Sequence, residues 1–188
     1  MFVSRGLGEA FVTLSDDHAS IPHLERALDL YRQGLGAGHA DTINAMHSLG
    51  WAYLTTAQPA KANLLFKEAL VSAQRSLGVT HRVSLMVVAT VAYRATNRRE
   101  YAQAERLLAE ALAAGERELG PGHTDLDYVI GRLGDLYKEL GRSGESEALL
   151  TRRRNALRAK YGNDHPDTLY VMTALVRLYV RQKRYPEA

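Results

Sequence analysis

The chain has 188 residues, 46% of them hydrophobic, a formal charge of +3 and no cysteine. The lack of cysteine excludes a disulfide framework, a thiolate metal site and a cysteine nucleophile; it fits a reducing compartment, so a cytoplasmic location is expected. No stretch approaches the roughly 20 apolar residues that span a bilayer, and Met1 to Ala10 lacks the basic-then-apolar order of a signal peptide, so no membrane contact is expected.

In chain order the sequence reads as one motif written several times. His39, His81, His123 and His165 recur every 42 residues without a gap, and Gly36, Gly78, Gly120 and Gly162 precede them by three. This register divides the chain into a partial unit (1–38), three full units (39–80, 81–122, 123–164) and a truncated one (165–188). Met1 aligns with Ile43, so the opening helix lacks its first turn, and the full-length product is expected to extend in both directions. From Asp41 to Thr56, the apolar residues Ile43, Met46, Leu49, Ala52 and Tyr53 keep helical spacing on one stripe. Gly50 sits inside that stripe. A helical glycine costs up to ~1 kcal/mol against alanine, so its recurrence at Gly8 and Gly134 predicts a close approach of another helix at all three positions.

A second stripe, Ala62, Leu65, Phe66, Ala69 and Leu70, makes each unit a helical hairpin. The small residue at Ala27, Ala69 and Ala111 gives way to Arg153, which predicts a shifted or loosened second helix in the third full unit. Each connector between hairpins opens with a glycine suited to the left-handed residue that ends a helix. Near the next helix start, Asp41, Thr42, Ser84, Asp125, Asp167 and Thr168 are expected to cap the first-turn amides with side-chain oxygens. Gly141 to Gly144 reads as a turn within a hairpin. In the last unit, a helix over 167–183 is expected to leave apolar surface at Leu175 and Leu178 partly open.

The recurring small, large and aromatic positions Leu49, Gly50, Tyr53, Ala62, Phe66 and Ala69 resemble the signature of the tetratricopeptide repeat. The 42-residue length, with a glycine and then His165, Pro166, Asp167 and Thr168, looks like the kinesin-light-chain type. The resemblance covers the whole chain, with a departure at Ala95, where a tyrosine is expected. It implies an all-α fold, a right-handed superhelical solenoid of stacked antiparallel helix hairpins whose first helices line a concave groove for extended peptides or partner helices. Groove-facing residues on that geometry are Asn44, His47 and Trp51, then Tyr93 and Asn97, then Tyr128, Arg132 and Asp135, and finally Tyr170, Arg177 and Arg181. Trp51 and Tyr93 share a repeat position, as do Tyr128 and Tyr170. Such aromatic anchors beside Asn44, Asn97 and Arg177 suit a peptide backbone or carboxylate. Packing between helices is the other reading of Trp51 and Tyr93, and the ligand-facing one is preferred because Tyr53 or Ala95 already fills the core position.

Catalytic patterns are missing. Four of the seven histidines are placed by the repeat, one hairpin apart and too distant to share a metal, while His18 and His23 are five apart on different helix faces and read as surface residues. There is no phosphate-binding glycine loop, no His-Glu-x-x-His and no nucleophile elbow, so no enzyme, metal or cofactor is expected. From Arg142 onward ten Lys or Arg face five acids. Arg152, Arg153 and Arg154, with Arg158 and Lys160, read as solvated or inter-repeat charge in preference to an acidic docking site. No nucleic-acid motif accompanies them, so a nucleic-acid partner is not expected. The sequence thus points to a protein-interaction scaffold with a protein or peptide ligand. The competing readings are a regulatory or substrate-recruiting arm of a larger bacterial signalling enzyme, such as a Ser/Thr kinase or ATPase, and self-association through open terminal helices. Arginine outnumbers lysine 19 to 5, a hint of a GC-rich bacterial genome.

Overall fold

The computed structural model describes residues 17–184, and every regular element among them is helical. The chain divides after Gly78 into two compact units. The first contains α1 (Asp17–Leu35), α2 (Ala40–Thr55) and α3 (Pro59–Ser76). The second contains α4 (Arg82–Asn97), α5 (Tyr101–Leu119), a 3-10 turn (Thr124–Leu126), α6 (Asp127–Glu139), α7 (Ser143–Tyr161) and α8 (Pro166–Arg181). Among the described residues no helix is long and apolar enough to cross a membrane.

In the first unit α2 packs against both α1 and α3. The whole predicted stripe of α2, from Ile43 to Tyr53, is buried, and Ala62, Phe66, Ala69 and Ala73 of α3 are buried with it. Leu65 and Leu70 are half-buried. Small residues on α3 bring the two helices together, and Gly50 completes the fit: a Cβ there would lie 2.6 Å from the Phe66 ring. Burying such a ring stabilises by roughly 1.5–3 kcal/mol, which outweighs the helical cost of the glycine. The expectation fails at Gly134, where an added Cβ meets only the Ser146 hydroxyl at 4.0 Å. No ring presses on that glycine. Gly8 lies outside the described residues.

In the second unit α5 and α6 pack on α4, α7 on α6, and α8 on α7. Leu85 and Val88 of α4, Leu108 of α5, Val129, Leu133 and Leu136 of α6, Leu157 of α7 and Val171 of α8 are buried in its core. Leu175, expected to be partly open, is buried too, and Leu178 is half-buried. α7 covers that side of α8, and the apolar residues left exposed are Leu169, Met172, Val176 and Val180. Two joints recur between neighbouring hairpins here. Arg142 pairs with Glu105 at 2.8 Å and stacks over Tyr137 at 4.7 Å; Arg184 pairs with Glu147 at 2.6 Å and stacks over Tyr179 at 4.9 Å.

The ends of the helices follow the repeat closely, with one change of agent. Gly36, Gly78, Gly120 and Gly162 all have positive φ, as the connectors demand. The caps of the following helices are the histidines rather than the neighbouring oxygens. Each Nδ1 accepts the amide two residues on, His39 from Asp41 at 3.2 Å, His81 from Val83 at 3.1 Å, His123 from Asp125 at 3.3 Å and His165 from Asp167 at 3.3 Å. The imidazole reaches the same orphan donor that an aspartate or threonine oxygen usually takes. This frees the hydroxyls of Thr42 and Thr168 to donate back to the Gly36 and Gly162 carbonyls, at 2.7 and 2.9 Å. The turns inside the hairpins place Ala57, Arg99, Gly141 and Lys183 in the left-handed region, three of them without the help of glycine.

Arg153 does not loosen α7. Its side chain is buried, as are Leu149 and Leu157 on the same face. The guanidinium donates to the Pro121 and His123 carbonyls at 2.9 and 2.8 Å and to the Asp127 carboxylate at 2.6 Å. The reason lies in the third connector. There Leu126 replaces the threonine that ties the first and fourth connectors, and its methyl fills the space beside Gly115, where a Cβ would lie 2.3 Å away. Arg153 ties the third connector from α7 at the Pro121 and His123 carbonyls, whereas Thr42 and Thr168 reach the Gly36 and Gly162 carbonyls of theirs.

Candidate functional site

On α2, Asn44, His47 and Trp51 fall on one helical face, three and four residues apart, and all three are half-buried. Trp51 donates its indole N–H to His47 Nε2 at 3.1 Å. Both rings lean on Phe66 of α3, His47 with ring centroids 5.8 Å apart and Trp51 edge-on at 6.0 Å. Phe66 can reach them because Gly50 leaves it room. Burial holds His47 neutral and lowers its pKa to about 4, so the ring keeps the lone pair that Trp51 needs. Trp51 is thus packed against Phe66 while remaining half-buried. Tyr53 is buried separately: its hydroxyl donates to Glu25, and the Lys61 ammonium sits 4.9 Å over its ring.

The second unit brings four of the predicted residues together. Tyr93 and Asn97 of α4 and Arg132 and Asp135 of α6 line an open depression of about 420 Å³. Leu136 and Thr96, both buried residues, contribute to its lining, and Lys138 and Glu139 border it. The Arg132 guanidinium lies 4.8 Å over the Tyr93 ring and 3.4 Å from Asp135. Stacking on the ring restrains a side chain that would otherwise lose more rotamer freedom on binding. Two cations and two carboxylates leave the mouth neutral overall while offering both donors and acceptors. Such a surface suits the alternating N–H and C=O groups of a main chain better than a single charged ligand.

The other predicted residues lie apart from this depression. Tyr128 is taken up by Arg82, which donates to its hydroxyl at 3.2 Å and pairs with Asp125 at 3.8 Å. Tyr170, Arg177 and Arg181 are exposed along α8. Sequence reasoning missed Phe66 as the backing of Trp51, because it assigned that ring to a core stripe by spacing alone, and it did not single out Leu136, which lines the depression. It missed Arg82 altogether, since nothing in the repeat marks that position.

A model of the tetratricopeptide repeat matches residues 2–75 and 128–188, and a second model of the same repeat matches residues 89–125. Among solved structures, the nearly identical TPR-like repeats described as a kinesin light chain of Podosopora anserina align with a TM-score of 0.72 at 20% identity, covering 96% of this chain and 86% of that one. A point variant of those repeats aligns at 0.73 over 96% and 85% of the two chains, again at 20% identity. BtubC (BKLC) from P. vanneervenii aligns at 0.66 and 21% identity, over 97% of this chain and 76% of that one. These likenesses show a shared helical-repeat fold. No curated protein matches the chain.

Proposed function

The chain belongs to the tetratricopeptide repeat family, and from that premise we propose that it is a non-enzymatic protein-interaction module that holds an extended peptide on the exposed faces of its first helices. The observation that carries the reading is the depression between α4 and α6, where Tyr93, Asn97, Arg132 and Asp135 converge. An aromatic ring already stacked by a guanidinium, with amide and carboxylate groups around it, supplies an anchor and a set of backbone partners. Trp51 and His47 on α2 give the first unit an anchor of its own in this reading, through the indole edge. Phe66 fixes their geometry beforehand, which lowers the ordering cost of binding.

The test begins with selection of binders from a randomised short-peptide display library against the 188-residue protein. Binding of the selected peptides is then compared between wild type and Tyr93→Ala or Arg132→Ala by calorimetry, with circular dichroism to check the fold. Each substitution is expected to weaken binding by about 2 kcal/mol, roughly thirty-fold, as loss of an interface anchor does. Unchanged affinity in both variants, or a library that yields no binders, would sink the proposal.

A further inference from the structure

Of the residues that line the depression between α4 and α6, Leu136 and Thr96 are the buried ones, 0 and 9% exposed, and so form its floor. The Thr96 hydroxyl is already committed, because it donates to the Ala92 carbonyl one turn back at 3.0 Å. Leucine carries no polar side-chain atom. The floor therefore has no side-chain donor to offer an incoming group, and an ionised tip placed on it would lose water without gaining a partner. An apolar tip loses nothing there.

The rim penalises charge of either sign. Arg132 is held at its face by the Tyr93 ring, 4.8 Å away, and at Nη1 by Asp135 at 3.4 Å. A ligand carboxylate drawn to Arg132 would meet Asp135, which already occupies that guanidinium, and then Glu139 one turn further along α6. A ligand cation drawn to those two carboxylates would meet Arg132 and Lys138. Because each sign on α6 is countered by the other, a charged side chain gains little steering and meets a like charge on arrival. Such an arrangement selects against charged partners. Asn97 is exposed and uncharged, and its amide both donates and accepts, so it serves the peptide groups beside an anchor. At about 420 Å³ the depression lies near the small end of the roughly 300–1,000 Å³ of ligand sites. One side chain with its flanking peptide groups fills it.

Resting on the peptide-binding reading above, we infer that this depression is specific for an uncharged peptide segment, whose aliphatic or aromatic anchor side chain sits on Leu136 and Thr96 while the rim holds the flanking peptide groups. Acidic and basic motifs are rejected. The probe is the tightest-binding peptide from the display selection, labelled with fluorescein, titrated with the 188-residue protein and read by anisotropy. An alanine scan of that peptide identifies its anchor, which is expected to be aliphatic or aromatic. Replacing the anchor with Glu or with Lys is expected to weaken binding at least about ten-fold in each case. Affinity of the parent peptide should change by less than about three-fold as salt is raised from about 0.05 to about 0.5 M. Asp135→Asn changes an exposed residue and tips the rim positive, so it is expected to improve binding of the Glu peptide relative to the parent by at least about three-fold. A charged anchor, a steep salt dependence, a Glu or Lys peptide that binds as well as the parent, or no relative gain in Asp135→Asn would overturn the inference and leave the peptide-binding reading standing. Binding that both Tyr93→Ala and Arg132→Ala leave unchanged, or a library without binders, would remove that reading and the inference with it.

Discussion

The hairpins α2–α3 and α6–α7 occupy the same repeat positions and solve the same packing problem with opposite materials. In α2–α3 the crossing is apolar: Gly50 admits Phe66, Ala69 lies flat, and Thr42 ties the connector. In α6–α7 the crossing is partly polar: Gly134 meets no ring, Arg153 stands where Ala69 does, and its guanidinium ties the connector at the Pro121 and His123 carbonyls. A substitution that looks disruptive in one copy of a repeat is thus supportive when its neighbours have changed with it. Leu126, Gly115 and Arg153 make sense only as a set.

The sharpest way to break this comparison is Arg153→Ala, which restores the residue that the other repeats carry. If the repeat pattern governed stability, the change would help. The structure predicts a loss of roughly 3 kcal/mol, because two carbonyls and the Asp127 carboxylate lose their donor and a cavity opens beneath α7. The urea unfolding midpoint measures it, and an unchanged or raised midpoint would refute the role given to Arg153.

A smaller effect separates the hairpins by pH. His47 belongs to α2–α3 alone and has a pKa of about 4 in the folded protein against 6.5 for the free group. Between those values the unfolded chain binds the additional proton, so stability is present above pH 6.5 and is lost as pH falls toward 4. The loss is on the order of 2 kcal/mol. His47→Gln should remove that slope while other titrations remain, and Trp51 fluorescence reports the same transition. A slope unaffected by His47→Gln would show that burial of this imidazole is not its source.

The least effect distinguishes the two glycines. Gly50→Ala forces a methyl into the Phe66 ring and should cost about 1–2 kcal/mol after the gain in helix propensity is subtracted. Gly134→Ala meets open space and should stabilise by up to ~1 kcal/mol. Thermal melts of the two variants should therefore move in opposite directions, and a shift of the same sign would contradict the packing described for α2–α3 or α6–α7.

Much of the hairpin pattern was legible from spacing. The helical stripes, the glycine connectors and the burial of Ile43, Met46, Leu49, Ala62 and Phe66 follow from periodicity, because apolar residues on one helix face have few places to go. The capping was harder to read, since histidine and the acid and hydroxyl beside it all present acceptors to the same amide, and only the geometry shows that Nδ1 takes it. The candidate site was legible as a face and not as a place. Tyr93, Asn97, Arg132 and Asp135 converge, while Tyr128 is drawn away by Arg82, a contact across two helices that no spacing rule contains.

What the sequence determined alone was the repeat itself, because a 42-residue recurrence of small, aromatic and turn-forming residues fixes where each helix starts, stops and turns its apolar side. Only the tertiary structure decided how each copy spends its exceptions. It placed Arg153 against a connector, Leu126 against Gly115, and the exposed apolar face of α8 at Leu169, Met172, Val176 and Val180 instead of Leu175. The reason is physical: local pattern sets the face a side chain occupies, whereas the neighbour it meets there belongs to another helix and another part of the chain.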